Sequence, residues 1–231
     1  MKKEYFTKLC SDALANNKEI IDWLFKSVSK SINTVLDCGC HDGKFTYFIF
    51  KGKKLFGLDL TKNALIDAKK VLNGVMADLN KKLPFKNNSF DLVHSNQVIE
   101  HLTDVDLFVK ELYRITKKGG YVITSTENLS SFHNLIAMFF GKQAFSQHIS
   151  KEYFVGNSFS HNYKNKMGPR TWTHNTIFSY DGLKDLFEVH GFKVIKLLGA
   201  GYYPFSKRLS KFFSKVDPKH SAFITIMVRK E

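Results

Sequence analysis

The chemically suggestive residues begin with a glycine-rich loop. Residues 35–43 (VLDCGCHDG) place Gly39 and Gly43 between an apolar run and a segment of helical spacing. Glycines in such a turn let a ligand approach the backbone closely, and Asp59, which ends the next apolar run, can accept hydrogen bonds from both hydroxyls of a ribose. Asp37, just before the glycines, would repel a pyrophosphate but suits a ligand that carries an amino group. The pattern predicts a site for an adenosine-type ligand.

A second group, Glu100 and His101, follows the fourth apolar run. The histidine can act as a general base that takes a proton from a substrate, or it can be a structural residue bonded within the protein.

Metal-ligating residue types also occur at Cys38, Cys40 and His41, but no second ligand pair follows at the spacing of a zinc site. Small residues in a ligand-binding loop explain these cysteines better.

The elements that would position these residues alternate between short apolar runs and segments of helical spacing. We expect one domain over residues 1–231, with an N-terminal helical segment over residues 1–30. The predicted strands cover residues 34–37, 55–59, 75–78, 90–95, 121–125, 192–198 and 222–228. The predicted helices cover residues 44–50, 63–71, 104–117 and 180–190, and Gly119 with Gly120 ends the third. This alternation is typical of a parallel sheet with helices on both faces.

Two segments depart from this alternation. The last predicted strand follows its predecessor too closely for a helical crossover if residues 202–219 are mostly irregular, so we expect it to pair antiparallel. Residues 127–178 break the pattern with aromatic residues and histidines, among them His133, His148, His161 and His174, which have no regular metal spacing. Long insertions in α/β domains commonly hold substrate, and we expect a substrate-side lid here.

The composition favours anionic partners. Lys+Arg 35 against Asp+Glu 21 gives a net charge of +14, which suits nucleic acid, phosphorylated or carboxylated substrates and acidic lipid surfaces, although a lysine-coated surface explains it equally well. The 3 cysteines cannot form a closed disulfide framework, which favours a reducing compartment. No apolar core of a signal peptide and no spanning run is present, so we expect a cytoplasmic protein with peripheral membrane contact left open.

The chain resembles the class I S-adenosylmethionine (SAM)-dependent methyltransferases, in the type 11 group that acts on small molecules and glycans. The resemblance rests on six ordered blocks between about residues 34 and 126: residues 36–43 (LDCGCHDG), 57–60 (GLDL), 77–79 (ADL), 83–93 (LPFKNNSFDLV), 95–102 (SNQVIEHL) and 111–120 (ELYRITKKGG). It implies a Rossmann-like α/β fold, with a seven-stranded, mostly parallel sheet, an antiparallel last strand and helices on both faces. It also implies SAM as cofactor and S-adenosylhomocysteine as product.

Carried over position by position, the resemblance assigns the loop to the amino-acid end of the cofactor. Asp37, Gly39 and Cys40 would line the methionine part, and Gly43 belongs to the same loop. Ser95, at the end of the fourth strand, would lie beside the sulfonium.

The adenosine end would be held by residues after the second and third strands. Asp59 would bind the ribose and Leu60 would flank the adenine, while Asp78 with Leu79 would meet the adenine amino edge. Capping of the following helix is the alternative role for Asp37 and Asp59, and a capping or turn role is the alternative for Asp78.

His101 is the predicted catalytic residue, and no metal ion is predicted. In some relatives an acidic residue three positions before the glutamate completes a Glu-x-x-Glu-His metal cluster. Gln97 stands there instead, and an amide is a weaker ligand for a hard cation than a carboxylate. Methyl transfer often needs only alignment of the nucleophile with the sulfonium, so a dedicated base is not required.

The resemblance to enzymes of sugar, polysaccharide and lipid-intermediate biosynthesis continues after the fifth strand. It favours methyl transfer to a small molecule, a sugar or polysaccharide, or a lipid-linked intermediate, on oxygen. RNA methylation is the alternative that the basic charge keeps open, and a SAM-binding interaction protein without catalysis is another. A nicotinamide oxidoreductase is disfavoured by the loop chemistry. Two stretches could touch a membrane, although a substrate lid or core explains them as well: the apolar residues 135–140, and residues 205–213, in which basic residues lie between aromatic ones. The oligomeric state stays open.

Overall fold

The computed structural model describes residues 2–169 and 173–231. Met1 of the predicted N-terminal segment and residues 170–172 of the predicted insertion lie outside the described residues. The strands are β1 (Thr34–Cys38), β2 (Lys54–Asp59), β3 (Asn73–Met76), β4 (Phe90–Asn96), β5 (Thr116–Glu127), β6 (Phe192–Ala200) and β7 (Phe223–Lys230). They form one sheet in the order β3-β2-β1-β4-β5-β7-β6.

Seven α-helices stand in the described part of the chain, accompanied by short 3-10 helices at Ser29–Ser31, Ile99–His101 and Pro218–His220. The α-helices are α1 (Lys2–Val28), α2 (Lys44–Ile49), α3 (Lys62–Ala68), α4 (Val105–Ile115), α5 (Phe132–Phe139), α6 (Tyr180–Val189) and α7 (Lys207–Val216). None of these helices is long and apolar enough to cross a lipid bilayer.

The strand order creates a crevice between β1 and β4. The chain runs outward from β1 through β2 to β3 and then returns to place β4 on the other side of β1. All pairings from β3 to β5 are parallel, so the carboxyl ends of these strands meet at one edge. Ligands of open α/β sheets bind at such a switch point, outside the carboxyl ends of the strands.

The last strand is antiparallel, as predicted. β7 pairs antiparallel with both β5 and β6. The expected irregularity of residues 202–219 is wrong, because α7 occupies their centre. Its lysines recur at helical spacing and bind α1: Lys211 Nζ lies 2.5 Å from Glu19 Oε2, and Lys207 Nζ lies 3.9 Å from Asp12 Oδ1. A helix therefore fits into the turn between two antiparallel neighbours.

Both faces of the sheet are covered by helices, as predicted. Neighbouring residues of a strand point to opposite faces, and in β1 Val35 packs with α1, α2 and α3 while Leu36 packs with α4 and α6. α4 begins where the Asp104 side chain accepts a hydrogen bond from Leu107 N (2.8 Å). Its buried residues fall at helical spacing: Phe108, Val109, Glu111, Leu112 and Ile115.

The prediction that Gly119 and Gly120 end a helix is wrong. α4 ends at Ile115, and both glycines lie inside β5. Gly119 has a φ of 79°, and the β4–β5 register shifts between Phe90 and Leu92. The glycines thus accommodate an irregular start of the strand, because glycine adopts positive φ without a steric penalty.

A buried asparagine ties α1 to the carboxyl edge of the sheet. Asn17 is buried, and its Nδ2 donates to Ser125 Oγ (2.8 Å) and to Asn96 Oδ1 (3.1 Å). Its Oδ1 accepts from Thr225 Oγ1 (2.6 Å). One amide therefore bonds to β4, β5 and β7, which fixes α1 next to the crevice.

Candidate cofactor and acceptor site

The loop after β1 is held against the end of β2. The backbone N–H groups of Gly39 and Cys40 both donate to Leu58 O, at 2.8 and 2.9 Å. Gly39 has a φ of +83°, and a Cβ built there would lie 2.4 Å from Val98 Cγ2. Only glycine fits this position, because Val98 packs onto the loop. That contact joins the loop to the segment that carries His101.

Gly43 and Cys40 serve the packing of the loop. Gly43 has a φ of +73°, and a Cβ there would lie 2.9 Å from Leu72 Cδ2 at the end of the neighbouring helical region. Cys40 is buried, and its Sγ would be 2.5 Å from a Cβ at Gly57. Burial first, and then the carboxylates of Asp37 and Asp59, raise the pKa of the Cys40 thiol to about 12. The thiol is therefore protonated at neutral pH.

Asp37 lies beneath the loop, with only 4% of its surface exposed. Its Oδ1 is 3.0 Å from Nδ1 of the fully buried His94, and its Oδ2 accepts a short hydrogen bond from Thr46 Oγ1. The carboxylate thereby connects β1, β4 and α2. His94 was not singled out by sequence, although its place opposite Asp37 in the β1–β4 register is a signal that a correct strand alignment would give.

Asp59 ends β2 at the mouth of the same loop. Its Oδ2 accepts from His41 N (2.9 Å) and its Oδ1 accepts from Thr61 N (2.8 Å). The carboxylate is half-buried, and each oxygen retains a lone pair for a further donor. Leu60 beside it is 58% exposed, which leaves an apolar surface next to the carboxylate.

The remaining predicted cofactor residues lie at different depths. Asp78 is half-buried in a turn, where it accepts from Asn80 N (2.9 Å). Leu79 is buried in the apolar core. Ser95 is fully buried in β4, and its Oγ has no hydrogen-bond partner among the described residues. Asp37, Gly39, Asp59 and Ser95 thus meet at the carboxyl edges of β1, β2 and β4, whereas Leu79 lies beneath that surface.

Glu100 and His101 form the end of the short 3-10 helix that follows β4. Glu100 is 1% exposed, and its Oε2 accepts from Thr126 Oγ1 (2.9 Å). Burial, supported by the nearby Glu127, raises the pKa of Glu100 to about 8. His101 Nδ1 lies 3.2 Å from the carbonyl O of Thr173, and burial lowers the pKa of this histidine. His101 is therefore a neutral imidazole at neutral pH.

His174 from the insertion completes this cluster. Its ring centroid is 5.0 Å from that of His101, and one potential ligand atom from each of Glu100, His101 and His174 lies within 4.8 Å of the other two. Its Nδ1 is 2.7 Å from Ser146 O and 3.8 Å from a Glu127 carboxylate oxygen. Sequence reasoning missed this association, because only the general richness of the insertion in histidine signals it.

A cavity of about 380 Å³ adjoins the cluster. It lies where α1, the insertion, the loop after β6 and the start of β7 meet, and Glu127 and Ser146 belong to its wall. The lining is mostly apolar, and its aromatic side chains are Phe145, Phe154, Phe159, Tyr203 and Phe223. His133 also lines it, and burial lowers the pKa of this histidine to about 4. The cavity therefore presents an apolar wall with a few polar groups near the histidine cluster.

Part of the chain is similar in sequence to known methyltransferases. Residues 36–124 match the family model described as "Methyltransferase domain". The chain is 36% identical over 107 residues to a malonyl-[acyl-carrier protein] O-methyltransferase of Erwinia billingiae, a match that covers 45% of this chain and 42% of that protein. It is 28% identical over 174 residues to a demethylmenaquinone methyltransferase of Bacillus velezensis, with 69% of this chain and 70% of that protein covered.

The solved structures agree on the fold. A SAM-dependent methyltransferase of Clostridium acetobutylicum superimposes with a TM-score of 0.62 at 15% identity, and the match covers 93% of this chain and 92% of that one. The match to the Erwinia protein spans less than half of the length of that protein, so the substrate of that enzyme is not carried over to this chain. Residues 36–124 therefore match a methyltransferase domain, and the strand order around the β1–β4 crevice has the fold of the solved SAM-dependent methyltransferases.

Proposed function

We propose that the protein transfers the methyl group of SAM to an oxygen atom of a small or lipid-linked acceptor with a large apolar part. The observation that carries this proposal is the aromatic cavity, which contains Glu127 in its wall and adjoins the polar cluster of Glu100, His101 and His174. A mostly apolar wall suits an acyl, prenyl or aryl group better than a bare sugar. The O-methyltransferase name of the Erwinia relative supports oxygen as the acceptor atom.

The residues of the crevice fit SAM on two observations. The Ser95 hydroxyl is buried without a partner among the described residues, and the Asp59 carboxylate lies at the strand edge beside the exposed Leu60. We propose that Asp59 binds the ribose, that Leu60 packs on the adenine and that Asp78 meets its amino edge. Asp37, Gly39, Cys40 and Gly43 would shape the loop around the methionine part, with Leu79 supporting it from the core. When bound, SAM supplies an electrophilic methyl group on a sulfonium.

Residues on the acceptor side would prepare the nucleophile. His101 is neutral, and since its Nδ1 faces a carbonyl oxygen, its Nε2 carries the free lone pair and can take a proton or a ligand. The acceptor oxygen forms a bond to the methyl carbon while the carbon–sulfur bond breaks and its electron pair stays on sulfur. The acceptor proton leaves to a nearby base. We propose that residues 127–178 cover the acceptor, within one catalytic domain over residues 1–231.

Calorimetric titration tests the cofactor, and product formation tests the activity. We expect SAM and S-adenosylhomocysteine to bind while NAD does not. Formation of S-adenosylhomocysteine should then depend on an acceptor from a panel of hydroxylated aryl compounds, acyl carriers, lipid-linked glycans, free sugars and RNA. Turnover with free sugars or RNA alone would contradict the apolar acceptor. Cofactor binding without turnover on any acceptor would favour an interaction protein.

A further inference from the structure

We propose that Glu100, His101 and His174 bind one divalent transition-metal ion, of the zinc or cobalt class, beside the acceptor cavity. One potential ligand atom of each side chain lies within 4.8 Å of the other two. Nitrogen and oxygen ligands about 2.0–2.1 Å from a tetrahedral ion are about 3.3 Å apart. The three side chains therefore need to approach by at most about 1.5 Å, which is within reach of side-chain rotation. Sequence alone gave no such site, because Gln97 lacks a carboxylate and His174 is distant along the chain.

The hydrogen bonds of the two histidines prepare them as ligands. His101 Nδ1 lies 3.2 Å from Thr173 O, and His174 Nδ1 lies 2.7 Å from Ser146 O. A carbonyl oxygen only accepts, so each Nδ1 carries the proton and each Nε2 keeps its lone pair. Metal-binding histidines commonly donate their other ring N–H to a carbonyl or carboxylate in this way. In both rings Nε2 is thus the nitrogen that is available to an ion.

Glu100 supplies a buried carboxylate that makes no ion pair with a cation of the described residues. The side-chain bond that it receives comes from the neutral Thr126 hydroxyl, and no lysine or arginine pairs with it among the described residues. The other charged group close to it is a second carboxylate, Glu127. A buried carboxylate is stabilised by a positive partner, and a divalent ion would provide that charge.

The donor set selects the kind of ion. Two imidazoles and one carboxylate are the ligands of many catalytic zinc sites, which keep a fourth position open for a small molecule. Magnesium and calcium prefer oxygen ligands throughout. His148 is not counted as a ligand, because its Nδ1 already accepts from His174 N (3.2 Å).

The open position would serve the acceptor. Glu127 and Ser146, which contact His174, also line the aromatic cavity. A hydroxyl bound to the ion would lose its proton more readily, and Glu127 is the carboxylate next to it. This role rests on the proposed function, whereas the binding site itself does not.

Metal titration of the untagged chain of residues 1–231 tests the site. After treatment with a chelator, the protein is titrated with Zn²⁺ by calorimetry and with Co²⁺ by visible absorption. We expect one ion per chain and a Co²⁺ spectrum typical of nitrogen and oxygen ligands. Glu100→Gln and His174→Ala should each weaken Zn²⁺ binding at least tenfold. His190→Gln should leave it unchanged, because His190 bonds to Asp106 outside the cluster.

Two results would overturn the site: a wild-type chain that takes up no ion, or equal Zn²⁺ affinity in the wild type, Glu100→Gln and His174→Ala. If His174→Ala does not fold, the nearly isosteric Glu100→Gln decides. SAM titration of the same samples separates the two proposals. Zn²⁺ uptake without SAM binding would refute the proposed function and keep the metal site, and SAM binding without Zn²⁺ uptake would do the reverse.

Discussion

Replacement of Gly39 by alanine should damage the protein more than replacement of any glycine that has only an unusual backbone angle. At φ +83° the new Cβ would lie 2.4 Å from Val98 Cγ2, well inside the normal carbon separation of about 3.5–4.0 Å. Alanine in the left-handed region costs about 1–2 kcal/mol, and overpacking adds about 1–3 kcal/mol. We expect Gly39→Ala to lower the free energy of unfolding by about 2–5 kcal/mol.

Gly52 provides the matched control. It has nearly the same φ, +84°, but a Cβ there meets nothing within 4 Å. Gly52→Ala should therefore show the backbone penalty alone, about 1–2 kcal/mol. Urea unfolding followed by circular dichroism measures both variants. Val98→Ala added to Gly39→Ala should restore part of the loss, because it removes the clash but not the strain.

SAM binding should depend on the same contact between Gly39 and Val98. Displacement of Val98 shifts the 3-10 helix Ile99–His101 relative to the cofactor loop, so Gly39→Ala should weaken SAM binding while Gly52→Ala should not. Equal unfolding free energies for the Gly39 and Gly52 variants would refute the packing argument. Unchanged SAM affinity in a folded Gly39→Ala protein would refute the link between the loop and the cofactor.

Three further outcomes are expected. Asp59→Ala should weaken SAM binding without unfolding the protein, because the carboxylate is half-buried at a loop edge; unchanged affinity in calorimetry would remove the ribose assignment. His101→Ala should reduce turnover far more than SAM affinity, and wild-type rates would return this histidine to a structural role. The pKa of His133 falls from 6.5 in the unfolded chain to about 4 in the fold because of burial. Its neutral form therefore stabilises the fold above pH 6.5, and this contribution is lost as the pH falls from 6.5 to 4. Between pH 7 and pH 4 the urea midpoint of the wild type should therefore fall further than that of His133→Gln, and equal falls would contradict this.

Much of the fold could be predicted because each strand is marked by a short apolar run in the sequence itself. The apolar runs that end in Asp37 and Asp59 each mark the carboxyl end of a parallel strand, and such ends meet at one edge whatever the packing details. The antiparallel last strand followed from a short connection, although α7 inside that connection was missed. The lysines of α7 recur at helical spacing, but their acidic partners lie in α1, far away in sequence, and no local pattern reveals them.

The acceptor side could not be predicted in the same way. The approach of His174 to His101 depends on the path of a long insertion without periodic structure, and backbone bonds from Asn175 and Thr176 to Glu100 O fix that path. The cavity likewise arises from segments far apart in sequence. Residues that come together only through tertiary contacts share no recognisable spacing in the sequence. Residues at strand ends do, because each follows an apolar run.

The position of β7 has a consequence for the order in which the protein folds during synthesis. β6 reaches the rest of the sheet through β7, which lies between it and β5. While the ribosome still holds residues 223–230, β5 has an unpaired edge and β6 has no neighbour in the sheet. The cofactor half, β1 to β5, can pair as it emerges, but the wall of the cavity that contains Phe223 cannot. The acceptor side should therefore be the last part of the molecule to form, and a chain that stalls before β7 would expose a sheet edge open to aggregation.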